Sequence, residues 1–244
     1  MRLIKLLALA VTVGGCLAPA ARADLSAELA DLAARIDYGF YNDDARSIEA
    51  ALTALERLGD SPAVSYTRDF AALRLAQLAP AERAREAFAS DCAARDVPAD
   101  AKGSAAAELW ILAAACAELA HSGRRVEQAL AHARDLDDDN PRIALVEAWA
   151  LQREFGDDAA QRETLTTKWQ DTVAGFDTWN APLDAPQWGH AEALAVLGEL
   201  KLLRGEARAA RDLIERALLL APDYAVAVVL RRRMQGNGAA TSKP

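Results

Sequence analysis

His121, His132 and His190 are the only imidazoles in the 244 residues. No two of them stand three or four apart, the spacing that would put two metal ligands on one helix face, so no metal site is expected. His190-Ala191-Glu192 brings an imidazole and a carboxylate close in sequence, but side chains two apart on a helix diverge and would not act as an acid and base pair. Asp137-Asp138-Asp139-Asn140 has the composition of a calcium loop without its glycine or its distant glutamate, and reads as a solvated turn. No Gly-rich phosphate cradle, nucleophile elbow or Cys-x-x-Cys motif is present. The expectation is a non-enzyme that holds no cofactor.

The elements that would position any site are helices. Alanine dominates the 52% hydrophobic share while aromatics make up only 6%, a balance that favours helix and disfavours strand. Apolar residues recur at steps of three and four, predicting eleven helices, near 25–40, 43–58, 62–78, 80–95, 104–121, 124–137, 141–155, 158–174, 188–204, 206–220 and 222–233. Breakers such as Gly59-Asp60-Ser61-Pro62, Asn140-Pro141, Gly205 and Pro222 fall between them. With 28 basic and 36 acidic residues the net charge is −8, and the longest basic run is Arg231-Arg232-Arg233. Nucleic acid and anionic membrane surfaces are set aside as partners.

Met1 to Ala23 is predicted to be an export signal: Arg2 and Lys5 precede a short apolar run, and Ala21-Arg22-Ala23 forms a cleavage site ahead of Asp24. No transmembrane segment is expected, since the run is too short to span a bilayer. Val13-Gly14-Gly15-Cys16 offers a second reading, a lipoprotein box in which Cys16 would carry a lipid anchor. Either way the chain is exported, to a periplasmic location. Export favours a disulfide between Cys92 and Cys116. Helix geometry opposes it, because a cysteine ending one helix and a cysteine deep in its antiparallel partner would sit at different heights. Two buried small hydrophobes is the favoured reading of that pair.

Leu194, Leu197-Gly198, Gly205, Ala210, Ile214, Ala217 and Pro222 stand in the order and spacing of a tetratricopeptide repeat, and the chain resembles that family. A second unit starts near Ala107 with Trp110 at the tryptophan position, a third at Pro141, and weaker ones lie upstream. The resemblance implies an all-α, right-handed superhelix of stacked antiparallel helix pairs over 24–234. About five pairs and a final helix are expected, with an insertion near 165–187 and a disordered tail over 235–244.

The resemblance also implies that the first helix of each pair lines a concave groove. It projects Tyr66 and Asp69, then Glu108, Ile111 and Glu118, then Arg142, Leu145, Trp149 and Arg153, then Glu192 and Glu199 onto that face. Trp149 leads as a contact, with Arg142 and Arg153 able to pair with a ligand's carboxylate or phosphate, whereas Trp110 is assigned to the core. Phe176, Trp179 and Trp188 flank the Pro-rich insertion as a packed loop or a lid. The expected function is a scaffold that holds an envelope protein or peptide in the groove. The alternative is a small-molecule receptor similar to periplasmic helical-repeat components of solute uptake systems. A closed aromatic-lined cavity would favour the receptor, and an open acidic groove the scaffold.

Overall fold

The computed structural model describes the backbone of residues 18–156, 158–182 and 185–240. Cys16 and most of the expected export signal lie outside them. Among the described residues there are eleven α-helices and no strand: α1 Ala18–Tyr41, α2 Ala45–Leu55, α3 Pro62–Leu78, α4 Glu82–Ala94, α5 Gly103–Leu119, α6 Gly123–Leu136, α7 Pro141–Phe155, α8 Arg162–Thr178, α9 His190–Leu203, α10 Ala207–Leu220 and α11 Ala225–Ala240. A 3-10 turn, Ala159–Gln161, leads into α8.

Local chemistry sets the ends. Ser61 caps α3 by accepting from the Val64 amide at 3.3 Å, with Pro62 in the first turn. Asn140 and Pro141 repeat the device on α7, the Asn140 side chain accepting from the Arg142 amide at 3.1 Å. At the end of α9, Gly205 takes φ +78° and the Glu206 amide returns to the Lys201 carbonyl at 2.9 Å, closing the helix in a Schellman turn. The last helix departs from expectation, since α11 continues past 233 to Ala240, where a tail was expected. No proline interrupts that stretch.

Neighbouring helices pack as pairs, α1 with α2, α3 with α4, α5 with α6, α7 with α8 and α9 with α10, while α1, α3, α5 and α7 also pack side by side. One hydrophobic core runs through all of them, from Leu32 to Met234. In the α9/α10 pair, a β-carbon on Gly198 would lie 2.9 Å from Ile214 Cγ1 and 3.4 Å from the Ala210 carbonyl oxygen. Only glycine permits that crossing distance. Leu194, Leu197, Ala210, Ile214 and Ala217 are all buried there, and exposed Pro222 stands in the turn to α11. Trp110 stacks on His132 of the paired helix, with ring centroids 4.4 Å apart.

Cys92 and Cys116 are joined by a disulfide, with Cα atoms 5.8 Å apart. The expectation of different heights fails because α4 and α5 are not a tight hairpin. The non-helical stretch 95–102 can reach roughly 27 Å when extended, which offsets the roughly 20 Å that α5 climbs before Cys116. The end of α4 therefore meets the later part of α5. Closing 24 residues of sequence separation constrains the unfolded chain by about 3.5 kcal/mol on a chain-entropy estimate. Reduction with dithiothreitol is expected to lower the urea unfolding free energy by about that amount; an unchanged midpoint would contradict it.

Candidate functional site

The face lined by α3, α5, α7 and α9 carries most of the charged residues projected onto it, but they are turned toward one another. Glu108, Glu118, Arg142 and Glu192 are buried, as are Ile111 and Leu145. Each guanidinium nitrogen of Arg142 donates to a protein acceptor: Nη1 to Glu108 Oε1 at 3.1 Å, Nε to the Trp188 carbonyl at 3.1 Å, and Nη2 to the Pro186 carbonyl. Arg153 holds Glu118 through two donors, Nε to Oε1 and Nη2 to Oε2. Asp69 pairs with Arg95. Neither Arg142 nor Arg153 is thus left unpaired for a ligand's acid.

The stretch from 185 to 189 explains this closure. It turns inward at Gly189, whose φ of +101° and tight surroundings exclude a side chain: a β-carbon would meet Leu145 Cδ2 at 2.7 Å and Phe176 Cζ at 2.8 Å. Trp188 is driven into the interior and is 1% exposed. Its indole Nε1 donates to Tyr66 Oη at 2.9 Å, and its ring lies 6.0 Å from that of Phe70 and 6.2 Å from that of Trp149. The insertion is a packed loop here, and Trp149 stacks on it.

Beside Trp188, α1, α3 and α9 meet around Arg74, a residue the groove projection missed. Arg74 is fully buried, paired with Glu192 and stacked 3.7 Å from the Phe40 ring centroid. Tyr41 donates to Glu192 Oε2 at 3.3 Å, and Tyr224 packs edge-on against Tyr41 at 5.2 Å. Its trace in the sequence is a lone charge in the otherwise apolar run Phe70 to Leu75. Asp37 completes the cluster. Burial pushes its carboxyl up to about 6, with Arg74 pulling the other way and the Glu192 charge adding to the rise.

The sign of the pH effect follows. Asp37 binds its proton more tightly folded than in the unfolded chain, where it titrates near 3.8. Its contribution is therefore most favourable below that value and is lost as pH rises through about 6. Asp37→Asn is expected to raise the urea midpoint at pH 7.5 and leave it unchanged at pH 3.5. An equal change at both would contradict the assignment.

Two depressions remain along the inner face. One, of about 510 Å³, is lined by Trp149, Glu192, Glu199, Val226 and Val229 among others, with Arg233 at 3.6 Å from Glu199. The other is a cavity of about 450 Å³ between the starts of α3 and α5, bordered by Trp179, Pro182, Ala185 and Pro186. Tyr66, Leu109, Trp179, Pro182 and Pro186 give it apolar walls, and Glu108 lines it as well. Glu108 Oε1 accepts from Arg142 and, at 2.8 Å, from Asn140 Nδ2. Its Oε2 is buried, and no donor among the described residues reaches it. Burial raises the carboxyl of Glu108, against the lowering by Arg142 and by the Asn140 hydrogen bond. No family model matches the chain, and neither does any curated protein.

Two further groups bear on chemistry. His190 starts α9 with its ring stacked on Phe176 at 5.1 Å and its Nε2 3.1 Å from Asp177 Oδ1, while Glu192 faces Arg74. The two side chains point apart, as their spacing predicts. Burial lowers the His190 imidazole, against the opposing Asp177 charge. Glu82, Glu86 and His121 bring three ligand atoms within 4.8 Å of one another, all on exposed residues. Sequence spacing could not show that trio, because His121 comes from the turn after α5.

Proposed function

We propose that this chain is a non-catalytic receptor for a small molecule, tetratricopeptide-like in build, that works outside the cytoplasm. The observation that carries the reading is the 450 Å³ cavity, walled by Tyr66, Trp179 and prolines and lined by Glu108. A concave, mostly apolar pocket with few polar groups is the usual form of a small-ligand site. The repeat build is supported by Arg74, Glu108 and Arg142, which stand 34 residues apart in successive first helices. Export is supported by the Cys92–Cys116 bridge, a bond that persists in oxidising compartments.

The test is to purify the protein from its own envelope fraction, denature it, and identify released small molecules by mass spectrometry. Ala105→Phe, which places a ring at the exposed lining of the cavity, serves as the control. A compound at near one equivalent is expected from the unaltered chain and not from the variant. Equal amounts from both, or none from either, would overturn the reading.

A second reading, the scaffold for an envelope protein or peptide, draws on the other depression. There Val226 and Val229 are exposed on α11 beside Trp149 and Glu199. A partner captured by the unaltered chain and lost with Val229→Glu, at unchanged folding, would favour it.

A further inference from the structure

We propose that the cavity beside Glu108 binds an organic ammonium compound, an amine carried on an apolar or aromatic body. This rests on the receptor reading above and names its ligand class. The lining holds two carboxylates, Glu108 and Asp137, and no lysine, arginine or histidine. Arg142, the cation nearest Glu108, has committed its guanidinium to Glu108 Oε1, Trp188 and Pro186. Asn140 is committed too, donating to Glu108 Oε1 at 2.8 Å and lying 3.2 Å from Asp137 Oδ2.

What the cavity offers a ligand is the field of these two carboxylates in mostly apolar surroundings, where a charge acts more strongly than in water. A carboxylate ligand would meet two like charges there. A neutral probe would gain little from either. An ammonium group is attracted by both carboxylates and can lie against the Trp179 or Tyr66 rings, which line the same cavity. The apolar walls take the rest of the molecule.

Isothermal titration of the purified chain with three matched probes tests this: tryptamine, its alcohol counterpart tryptophol, and indole-3-acetate, which share one ring and differ in charge. Tryptamine is expected to bind at least tenfold more tightly than either. Glu108→Gln, which keeps an oxygen for Arg142 and Asn140 but can replace Oε2 with an N–H donor, is expected to weaken tryptamine at least tenfold and to narrow its lead over tryptophol. Ala105→Phe, which leaves Glu108 untouched, is expected to abolish binding of all three.

If tryptophol or indole-3-acetate binds as well as tryptamine and Ala105→Phe blocks it, the cavity is a receptor site and the ammonium assignment is overturned. If no probe binds at millimolar concentration, the ammonium assignment falls; the receptor reading is then decided separately by the compound released from the envelope-purified protein. Should Glu108→Gln fail to fold, the comparison of the three probes on the unaltered chain decides the ligand class.

Discussion

Arg74→Ala is expected to cost about 3–5 kcal/mol of folding stability, the usual effect of stripping one partner from a buried ion pair. Arg74 is fully enclosed and its guanidinium serves Glu192, with Gln77 accepting a second hydrogen bond at 2.8 Å. Removing it leaves the Glu192 charge in the interior with only Tyr41 Oη and the Gly189 amide to answer it. It also exposes the inner faces of Phe40 and Phe70, which the guanidinium covers at 3.7 and 4.9 Å. The paired variant Arg74→Met, Glu192→Met removes both charges while keeping volume, and is expected to regain most of the loss, since buried ion pairs roughly break even against apolar replacements. Urea unfolding followed by circular dichroism measures both. A single variant within 1 kcal/mol of the unaltered chain would show that α3 and α9 do not meet through this pair.

Trp188→Ala is expected to cost a similar amount, about 3–5 kcal/mol, because a fully buried indole is replaced by a void. The loss has two parts, ring packing and the hydrogen bond to Tyr66, that other substitutions separate. Trp188→Phe keeps a ring against Phe70 and Trp149 but forfeits the hydrogen bond to Tyr66, so its cost should be smaller. Tyr66→Phe removes only the acceptor of that bond. If the alanine variant were no worse than either, the indole would not be packed inside the array.

The helices were legible because an alanine-rich chain with apolar steps of three and four has few alternatives to helix, and because Pro, Gly and Asn punctuate it where connections fall. Nine of the eleven observed helices start within about three residues of their expected positions. α1 is the clear exception, beginning at Ala18 rather than 25. The inner-face positions were legible too, since the repeat register placed Glu108, Arg142, Glu118 and Arg153 on the same side.

What the register could not convey was that these residues would answer one another. Yet the trace is there: Glu108 and Arg142 are 34 residues apart, Glu118 and Arg153 35, so opposite charges occupy matching places in adjacent pairs. The Cys92–Cys116 bridge was misjudged because helix phase alone says nothing about where a long connection restarts the next helix. The inward turn at Gly189 was hidden for a related reason. A loop's path depends on the tertiary space available to it, here a gap that Leu145 and Phe176 leave only for a glycine.

Trp188 fills the face lined by α3, α5, α7 and α9, with the Glu108 cavity beside it. Indole hydrogen exchange tests that most directly. The chain has five tryptophans, so a ¹⁵N-tryptophan-labelled sample gives five indole signals, with Trp188 assigned by its loss in Trp188→Phe. Placed in deuterated buffer under native conditions, the Trp188 Nε1–H, enclosed and bonded to Tyr66, is expected to exchange far more slowly than that of half-buried Trp179. Exchange of Trp188 as fast as that of Trp179 would mean the inner face is open, and would contradict the account.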